Sequence, residues 1–484
     1  MTHMPSVRSA MIMAGGDETI VACATAEGRG ALTMIRMTGA RAIEIARALG
    51  ASALKPRVST RVMLHHPTTG AHLDDALVTA FMGPHSFTGE DVVEYSVHGG
   101  RVVSALVIAA CVAAGARPAL PGEFTRRAVI NGKLDLVQAE AVADLIDART
   151  VAMQQQALAQ LDGGLSRRLL ALRDRVIHVE ALLAYDIDFP DEDDGPIAPA
   201  RIHAAATALL SSIDALLATA PRAAMLRDGA LVVIAGPPNA GKSSLFNALL
   251  GESRALVTPI AGTTRDAIDA VMDRAPVPLR LVDTAGLRQT DDTLEQLGIE
   301  VSMRFLAQAQ VVLACGATPD EVTRAIDAVR PRTGAVIVPV HTKCDLASGA
   351  MERDAARDVA SNAPSNAASN VAWCYASAET GEGLAHLLMV IDAQVAPAAP
   401  SHDGSPSAVL SEEVVVTRER HQRGLREAAE EIQQFIEGWG SGALPATVAA
   451  VHLHGARDSL AGLVGAIGTE DVLDRVFRDF CIGK

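Results

Sequence analysis

The sequence predicts a multidomain chain with an α+β N-terminal domain, a discontinuous α-helical domain, and an α/β domain inserted into the helical one. Strand-like and helix-like segments alternate over residues 17–130. Helical patterns occupy residues 136–183, about 200–218 and 412–484, and an acidic stretch at 186–194 separates the first two. Between the helical stretches, apolar strand-like runs alternate with helices, which is typical of an α/β sheet. Because the chain returns to helical structure afterwards, we expect an insertion. The predicted domains are residues 1–131, 132–228, 229–396 and 397–484, the second and fourth forming the helical domain.

The composition favours a cytoplasmic protein with several hydrophobic cores. The chain has 484 residues, of which 49% are hydrophobic and 3% aromatic, so Ala, Val and Leu must build most of each core. Its longest apolar run, Val102–Ala114, is too short to cross a membrane. Residues 1–16 lack a long apolar stretch, which favours an extension over a signal peptide. The six cysteines form no C-x-x-C pair, which indicates reduced thiols.

In the N-terminal domain the pattern predicts strands at Thr19–Thr25, Ala31–Met37, Ala76–Met82 and Val92–His98, with helices near Ala40–Leu49 and Arg101–Ala114. Further on, a long helical pattern begins at Leu136 and is interrupted at Gly163 and Gly164.

The strongest motif is the stretch from Gly236 to Ser243, GPPNAGKS, which follows an apolar strand and precedes a helix. This is the context of a phosphate-binding loop, whose backbone N–H groups and helix N-terminus attract phosphate oxygens. Lys242 is expected to reach the β- and γ-phosphates, and the Ser243 hydroxyl to hold Mg²⁺. The competing interpretation is a glycine-rich turn that binds nothing.

Four later motifs follow in the order that a GTPase requires. A Gly-Thr-Thr loop can close over the metal and the γ-phosphate, and a strand ends in Asp-Thr-Ala-Gly. Thr-Lys-Cys-Asp, ending at Asp345, supplies a carboxylate that accepts from the N1–H and amine of guanine. Ser-Ala-Glu, at 377–379, offers backbone groups to the base. The predicted GTP-binding residues are Asn239, Ala240, Gly241, Lys242, Ser243, Ser244, Thr258, Pro259, Ile260, Ala261, Gly262, Thr263, Thr264, Asp283, Thr284, Ala285, Gly286, Thr342, Lys343, Asp345, Ser377, Ala378 and Glu379.

One position departs from the usual guanine motif, because Thr342 stands where Asn is expected. Threonine offers no amide to the base, although its hydroxyl can still tie this loop to the phosphate loop. Asp345 is retained, so we expect guanine specificity with weaker affinity.

The net charge of −15 argues against a general basic footprint for nucleic acid. Two arginine clusters, at 167–175 and 418–426, are candidate RNA contacts. The default interpretation is that they are solvated helix faces.

Motifs across nearly the whole chain resemble the family of tRNA-modifying GTPases called MnmE or TrmE. They are Gly28-Arg-Gly30, Ser86-Phe-Thr-Gly-Glu-Asp91, Pro121-Gly-Glu-Phe124, Lys133-Leu-Asp-Leu-Val-Gln-Ala-Glu140, Asp188-Phe-Pro-Asp191 and the terminal Phe480-Cys-Ile-Gly-Lys484. The resemblance implies a homodimer whose N-terminal domain binds a tetrahydrofolate derivative, either 5-formyl- or methylene-tetrahydrofolate. It also implies a flavoprotein partner like MnmG (GidA), in a heterotetramer with FAD on the partner. The pair would install an aminomethyl or carboxymethylaminomethyl group at C5 of the wobble uridine of certain tRNAs.

By motif matching, the folate contacts fall on Arg36, Glu94 and Lys133, with Lys484 closing the site from the C-terminus. Cations suit the carboxylates of the glutamate tail, and a carboxylate suits the donors of the pterin ring. Without the resemblance, the preferred interpretation of Arg36 and Glu94 is that they are ordinary exposed partners. Cys481 is the cysteine that the family places beside this site, where it is either a reactive thiol or a buried apolar residue.

The resemblance also bears on hydrolysis, because Leu287 stands where some GTPases have a water-orienting Gln. Glu295 matches the family's acidic residue for that role, although a solvent-facing Glu is the competing interpretation. K⁺ would be held by Asn239, Thr258, Ile260 and Thr263, and Mg²⁺ by Ser243 and Thr264. Such a K⁺ places positive charge where other GTPases use an arginine.

Two other function classes stay open at this point. One is a ribosome-assembly switch like the GTPases Era and Der, which predicts no folate binding. The other is a folate-binding scaffold whose GTPase only regulates partner docking.

Overall fold

The computed structural model describes residues 18–26, 28, 30–148, 150–188, 198–252, 268–272, 274, 277–283, 303–346, 371–395, 415–465 and 483. The chain forms two compact units. Unit 1 contains Met1–Ala143, Leu161–His203 and Glu430–Lys484, and unit 2 contains Asp144–Gln160 and Ala204–Ala429. No helix in the described part of the chain is long and apolar enough to cross a membrane.

Unit 1 contains a six-stranded sheet, whose strands are β1 Ile20–Cys23, β2 Leu32–Thr38, β3 Thr60–His65, β4 His72–Phe81, β5 Val92–His98 and β6 Arg117–Pro118. They lie side by side in the order β3-β4-β5-β2-β1-β6. Its strands are antiparallel except for the short parallel pair of β1 and β6. Alternate residues such as Ile35, Met37, Val93 and Tyr95 are fully buried, because one face of the sheet is covered by helices.

Three helices accompany this sheet: α1 Ala42–Ala48, α2 Arg101–Ala113 and α3 Glu123–Ile130. The pattern over residues 136–188 then divides into α4 Leu136–Asp147, α5 Val151–Leu161 and α6 Gly164–Asp188. Gly163 has φ +80°, which ends the second of these helices as predicted. In the described part of the chain, the other helices outside the second sheet are α7 Pro199–Leu217, α8 Ala220–Asp228, α12 Glu419–Gly440 and α13 Ala446–Val464.

Within unit 1, α6 packs against α13. Leu169, Leu183, Leu453 and Leu460 are buried, in keeping with the apolar stripe that an amphipathic helix presents to its neighbours. At the edge of the pair, Arg457 lies 3.5 Å from Glu180.

Unit 2 contains the second sheet and its helices: β7 Ala230–Ala235, α9 Lys242–Glu252, β8 Ile268–Met272, β9 Leu279–Asp283, β10 Val311–Gly316, α10 Pro319–Val329, β11 Val336–Thr342, β12 Cys374–Ala376 and α11 Leu384–Val395. The strands lie side by side in the order β12-β11-β10-β7-β9-β8. All neighbours are parallel except β8, which is antiparallel to β9. The central strands are continuous apolar runs because helices cover both faces.

The α+β and α/β architectures therefore agree with the sequence prediction. The four domain boundaries and the insertion of the α/β domain stay predictions. Short 3₁₀ turns at Arg330–Arg332 and Cys344–Leu346 lie in two of the described connections of the second sheet.

Candidate functional site

The loop between β7 and α9 has the backbone of a phosphate-binding loop. Asn239 and Gly241 are left-handed, with φ of 61° and 75°. Gly236 has φ +157°, and a Cβ there would lie 2.3 Å from the Cys315 carbonyl oxygen of β10. Only glycine fits so close an approach. The neighbouring strand therefore fixes the start of the loop, and the turn leads directly into the N-terminus of α9.

Two side chains at the start of α9 have expected roles: Lys242 in contacting phosphate and Ser243 in holding Mg²⁺. Lys242 is 7% exposed, and its Nζ donates to the Pro237 carbonyl oxygen at 2.7 Å. Ser243 Oγ donates to Asp283 Oδ2 at 2.5 Å. Asp283 ends β9 and pairs in register with Ile234 of β7. Parallel pairing of these two strands thus brings a hydroxyl and a carboxylate together beside the phosphate loop, which are the oxygen ligands that Mg²⁺ prefers.

A cavity of about 340 Å³ adjoins the loop and joins three of the predicted motifs. It is lined by Gly241, Ser244, Leu245, Thr342, Lys343, Asp345, Leu346, Ala376, Ala378 and Glu379. These residues come from the phosphate loop and α9, the end of β11, and the end of β12. The carboxyl ends of parallel strands are where open α/β sheets bind ligands.

The Thr342 hydroxyl connects two of these motifs. Its Oγ1 lies 2.7 Å from the Ala240 carbonyl oxygen and 3.0 Å from the Gly316 carbonyl oxygen. Next to it, Lys343 has φ 56°, and its Nζ donates to the Asn239 carbonyl oxygen at 3.0 Å. The guanine motif is thus tied to the phosphate loop by side-chain-to-backbone bonds, as the sequence predicts for Thr342.

The third motif forms a tight turn after β12. Ser377 is buried, and its Oγ accepts from the Glu379 and Thr380 N–H groups at 3.3 and 3.2 Å. Gly383 has φ +77°, and a Cβ there would lie 1.8 Å from the Tyr375 carbonyl oxygen. The turn is consequently set by backbone geometry, which leaves Ala378 and Glu379 at the cavity wall.

Behind the loop, Cys315 is fully buried beside Lys242 and Asp283. Burial raises the pKa of its thiol to about 12, against the lowering effect of the Lys242 charge. The thiol stays protonated at neutral pH, so it serves as packing rather than as a nucleophile.

In unit 1, Arg36 and Glu94 are direct cross-strand partners on β2 and β5. Arg36 Nε and Nη2 donate to Glu94 Oε1 at 2.9 and 2.7 Å, and both side chains are about one-fifth exposed. The guanidinium also lies over the Phe87 ring, 5.4 Å from its centroid. The two charges neutralise each other, as the interpretation of ordinary partners expects.

Lys133 contacts the loop that also contains Phe87. Its Nζ donates to the Pro84 carbonyl oxygen at 3.0 Å. The segment from 83 to 91, termed here the 83–91 loop, therefore contacts both Arg36 and Lys133. At the other end of the chain, Gly483 has φ +96°, and a Cβ there would lie 2.0 Å from the Cys23 carbonyl oxygen at the end of β1.

Comparison with known proteins gives two matching family models: "MnmE helical domain" over residues 136–481 and "GTP-binding protein TrmE N-terminus" over residues 19–133. Relatives named tRNA modification GTPase MnmE match nearly the whole chain. The relative in Azoarcus sp. (strain BH72) is 40% identical, and the match covers 96% of this chain and 98% of that protein. The relative in Leptothrix cholodnii is 41% identical, covering 96% and 99%. That in Moorella thermoacetica is 37% identical, covering 97% and 100%.

The chain belongs to the MnmE family of tRNA modification GTPases. The predicted family is confirmed, and with it the prediction of a GTP hydrolase that acts in tRNA modification. Among solved structures, the G domain of the T. maritima FeoB iron transporter is 21% identical, with a TM-score of 0.26, and covers 34% of this chain and 97% of that one. That likeness is too weak to support an argument.

Several predicted site residues of this MnmE family member lie outside the described residues. They are Thr258, Pro259, Ile260, Ala261, Gly262, Thr263, Thr264, Thr284, Ala285, Gly286, Glu295, Cys481 and Lys484. Their roles stay predictions.

The arginine clusters make mostly local contacts. Arg173 pairs with Asp174 at 2.8 Å, and Arg423 with Glu419 at 3.2 Å. Arg418 pairs with Asp144 at 2.5 Å. The first two pairs agree with the default interpretation of solvated helix faces, whereas Arg418 and Asp144 are partly buried and far apart in the sequence.

A buried ion network beside the 83–91 loop was missed by sequence reasoning. Glu123 is 4% exposed and receives Arg117 at 2.6 Å and Arg127 at 3.1 Å, while Arg127 also reaches Glu90 at 3.0 Å. Burial raises the pKa of Glu123, but hydrogen bonds from Arg117 and the Leu120 N–H, with both arginine charges, bring it below its ordinary value. The Pro-Gly-Glu-Phe motif contains Glu123 and was the one available signal.

Proposed function

We propose that this chain hydrolyses GTP in its α/β domain to drive folate-dependent modification of C5 of the wobble uridine in certain tRNAs. The observation that carries the nucleotide part is the cavity of about 340 Å³ where the phosphate loop, the Asp345 motif and the Ser377 turn meet. The group added is an aminomethyl or carboxymethylaminomethyl group. Family membership supports the tRNA part.

Guanine fits this cavity through Asp345, whose carboxylate accepts from the base N1–H and exocyclic amine. Adenine offers neither donor in that arrangement. Lys242 and the N-terminus of α9 then face the β- and γ-phosphates. The Ser243 hydroxyl, already 2.5 Å from the Asp283 carboxylate, is the group that would hold Mg²⁺ together with Thr264. Mg²⁺ supplies Lewis-acid stabilisation of charge on the phosphates.

Hydrolysis in this proposal depends on Glu295 to orient the attacking water and on K⁺ in place of an arginine. Asn239 supports the K⁺ site, because its left-handed backbone presents it within the phosphate loop. Thr258, Ile260 and Thr263 complete the proposed ligands. Positive charge placed there stabilises the transition state, which is worth ~10³ or more in rate.

The test is GTP turnover in K⁺ buffer against Na⁺ buffer at equal ionic strength. We expect at least about tenfold faster turnover in K⁺. Equal rates in both buffers contradict the K⁺ site without touching the guanine assignment, which nucleotide binding measures separately.

The folate site is proposed around Arg36, Glu94 and Lys133, closed by Lys484 and with Cys481 beside it. The residues present fit such a ligand, because the 83–91 loop contacts both Arg36 and Lys133. Gly483 supports closure from the C-terminus: it contacts Cys23, and the adjacent Ala22 is the register partner of Arg36. Bound folate supplies the one-carbon unit. The Arg36–Glu94 ion pair must open, so that each side chain exchanges its partner for a ligand group.

The chain offers a matched control for this site. Arg61 and Asp75 form a cross-strand ion pair of 2.7 Å on the same sheet, but Arg61 is exposed. We expect Arg36→Met to weaken binding of 5-formyl-tetrahydrofolate about tenfold or more, measured by calorimetry, and Arg61→Met to leave it unchanged. Equal affinity in all three proteins contradicts the assignment.

The remaining parts of the proposal concern assembly. We propose a homodimer that joins an MnmG-like flavoprotein, which carries FAD, in a heterotetramer in the cytoplasm. The α/β domain is proposed as an insertion into the helical domain, with the boundaries predicted above. Light scattering of the chain alone and mixed with such a flavoprotein tests the stoichiometry, and masses that fit monomers only contradict it.

A further inference from the structure

Unit 2 contains a second cavity, of about 220 Å³, away from the nucleotide motifs. Its lining includes Asp144 and Asp147 of α4, Gln156 and Ala157 of α5, and Ala223 of α8. Neither the family match nor the proposed reaction assigns a role to this space. Its volume corresponds to about seven water molecules.

Gln156 makes this cavity unusual. The side chain is 9% exposed, and its Nε2 is buried without a hydrogen-bond partner. One turn later, Gln160 is also buried, but its Nε2 donates to Thr417 Oγ1 at 2.9 Å and to the Val415 carbonyl oxygen at 3.2 Å. A buried amide donor without an acceptor costs free energy that a ligand oxygen would restore. The buried amide nitrogen of Gln156 therefore needs a hydrogen-bond acceptor in the cavity.

The charge of the lining restricts what carries that acceptor. Asp144 and Asp147 contribute two carboxylates, and Arg418, which pairs with Asp144, offsets one of them. An anionic ligand is disfavoured by the remaining negative charge. A bare metal ion does not fit either, because an amide N–H cannot coordinate it. A neutral oxygen on a molecule that is cationic elsewhere satisfies both conditions.

We propose that this cavity binds a small primary ammonium compound that also carries a neutral carbonyl oxygen and a short apolar chain. The ammonium group lies against the Asp147 carboxylate, and the carbonyl oxygen accepts from Gln156 Nε2. Met153, Ala157 and Ala223 contact the apolar chain.

The cavity is placed to influence the nucleotide domain. Ala152 on α5 and Met225 on α8 pack against the apolar core of the second sheet. Each is within two residues of a cavity-lining residue, Met153 and Ala223 respectively. In this proposal, ligand binding stabilises the packing of α5 and α8 against this core.

The probe is L-leucinamide, which has the ammonium group, the carbonyl oxygen and the apolar chain. It is titrated into the full-length protein by calorimetry, and we expect saturation in the low millimolar range. The matched compound 4-methylpentanamide lacks the ammonium group and should bind about tenfold more weakly. Equal binding of the two compounds, or no saturable binding of L-leucinamide, overturns the proposal.

Two variants locate the binding. Gln156→Met removes the buried donor and should weaken L-leucinamide binding about tenfold, whereas Gln155→Met makes the same change at an exposed position of α5 and should not. Asp147→Asn is exposed, so it tests the charge even if Gln156→Met fails to fold. Wild-type affinity in folded Gln156→Met, or in Asp147→Asn, places the ligand elsewhere and contradicts the proposal.

Discussion

The phosphate loop of unit 2 and the Arg36–Glu94 pair of unit 1 differ in what holds their functional groups in place. In the phosphate loop, Gly236 and Gly241 set the chain path, and Lys242 donates to a backbone carbonyl. In the N-terminal sheet, Arg36 is held by a carboxylate of opposite charge. A nucleotide phosphate that binds Lys242 displaces the Pro237 carbonyl oxygen from the ammonium group, whereas a ligand at Arg36 must compete with an ion pair.

The two sites should therefore respond differently to the same kind of mutation. Loss of a phosphate-loop side chain should remove function and leave stability largely intact, because the backbone still forms the loop. Loss of a charge from the ion-paired region should cost stability as well, where the partner is buried.

The largest effect is expected for Lys242→Ala. Removal of the ammonium group withdraws positive charge from the γ-phosphate in the transition state, so GTP turnover should fall about 10³-fold. Steady-state phosphate release measures it, and thermal unfolding serves as the folding control. Turnover within about threefold of wild type would contradict the role given to Lys242.

The second largest effect concerns the buried network. Glu123→Gln leaves Arg117 and Arg127 without their shared carboxylate and should lower the free energy of unfolding by about 3 kcal/mol. The control is Glu44→Gln, which breaks the exposed Arg41–Glu44 pair and should cost much less, because solvent screens exposed charges. Urea denaturation compares the two, and equal costs would show that burial does not strengthen the network.

This network also predicts a pH dependence. The pKa of Glu123 is lower in the folded state than its ordinary value of 4.5. Its stabilising contribution is therefore complete above that unfolded value and is lost as pH falls through the folded pKa. Wild-type protein should lose more stability than Glu123→Gln between pH 6 and about pH 3. Parallel stability curves would mean that the carboxylate does not carry this contribution.

A smaller effect is expected for Asp345→Asn. The amide cannot accept both guanine donors, so GTP affinity should fall about 10²-fold while xanthosine nucleotides gain affinity. Competition binding with both nucleotides measures the exchange of preference. Unchanged GTP affinity would overturn the base assignment.

The smallest effect is expected for Thr342→Asn. The Thr342 hydroxyl has one hydrogen for two carbonyl oxygens, those of Ala240 and Gly316, whereas an Asn amide has two. Restoring Asn should therefore tighten GTP binding about fivefold, or roughly one hydrogen bond's worth. Binding by fluorescent nucleotide titration tests it, with Thr342→Val as the control that donates neither bond and should bind more weakly. Tighter binding by Thr342→Val would show that the hydroxyl does not order the loop.

Sequence patterns succeeded where local spacing determines structure. The strand–loop–helix at Gly236 and the strand Val92–His98 were predicted because continuous or alternating apolar residues leave few choices. The strand Thr60–His65 was missed because it is an edge strand with exposed Arg61 and Met63. The strand Arg117–Pro118 was missed because it is only two residues long and contains proline.

The sites divide in the same way. The motif spacing predicted most of the residues that line the nucleotide cavity, but not Leu245, Leu346 or Ala376. The Arg36–Glu94 pairing depends on the register of β2 and β5, which the pattern of either strand alone does not determine. The network around Glu123 joins residues as far apart as Glu18 and Arg127, and the cavity at Gln156 joins three helices, so both required the fold.

The most direct test of the proposed function is mass spectrometry of tRNA nucleosides from a host strain that lacks its own member of this family. Wild-type chain should restore the aminomethyl or carboxymethylaminomethyl group at wobble uridine, and Lys242→Ala should not, although both accumulate as folded protein. Failure of the wild-type chain to restore the group, or equal restoration by Lys242→Ala, would contradict the claim that GTP hydrolysis by this chain drives the modification.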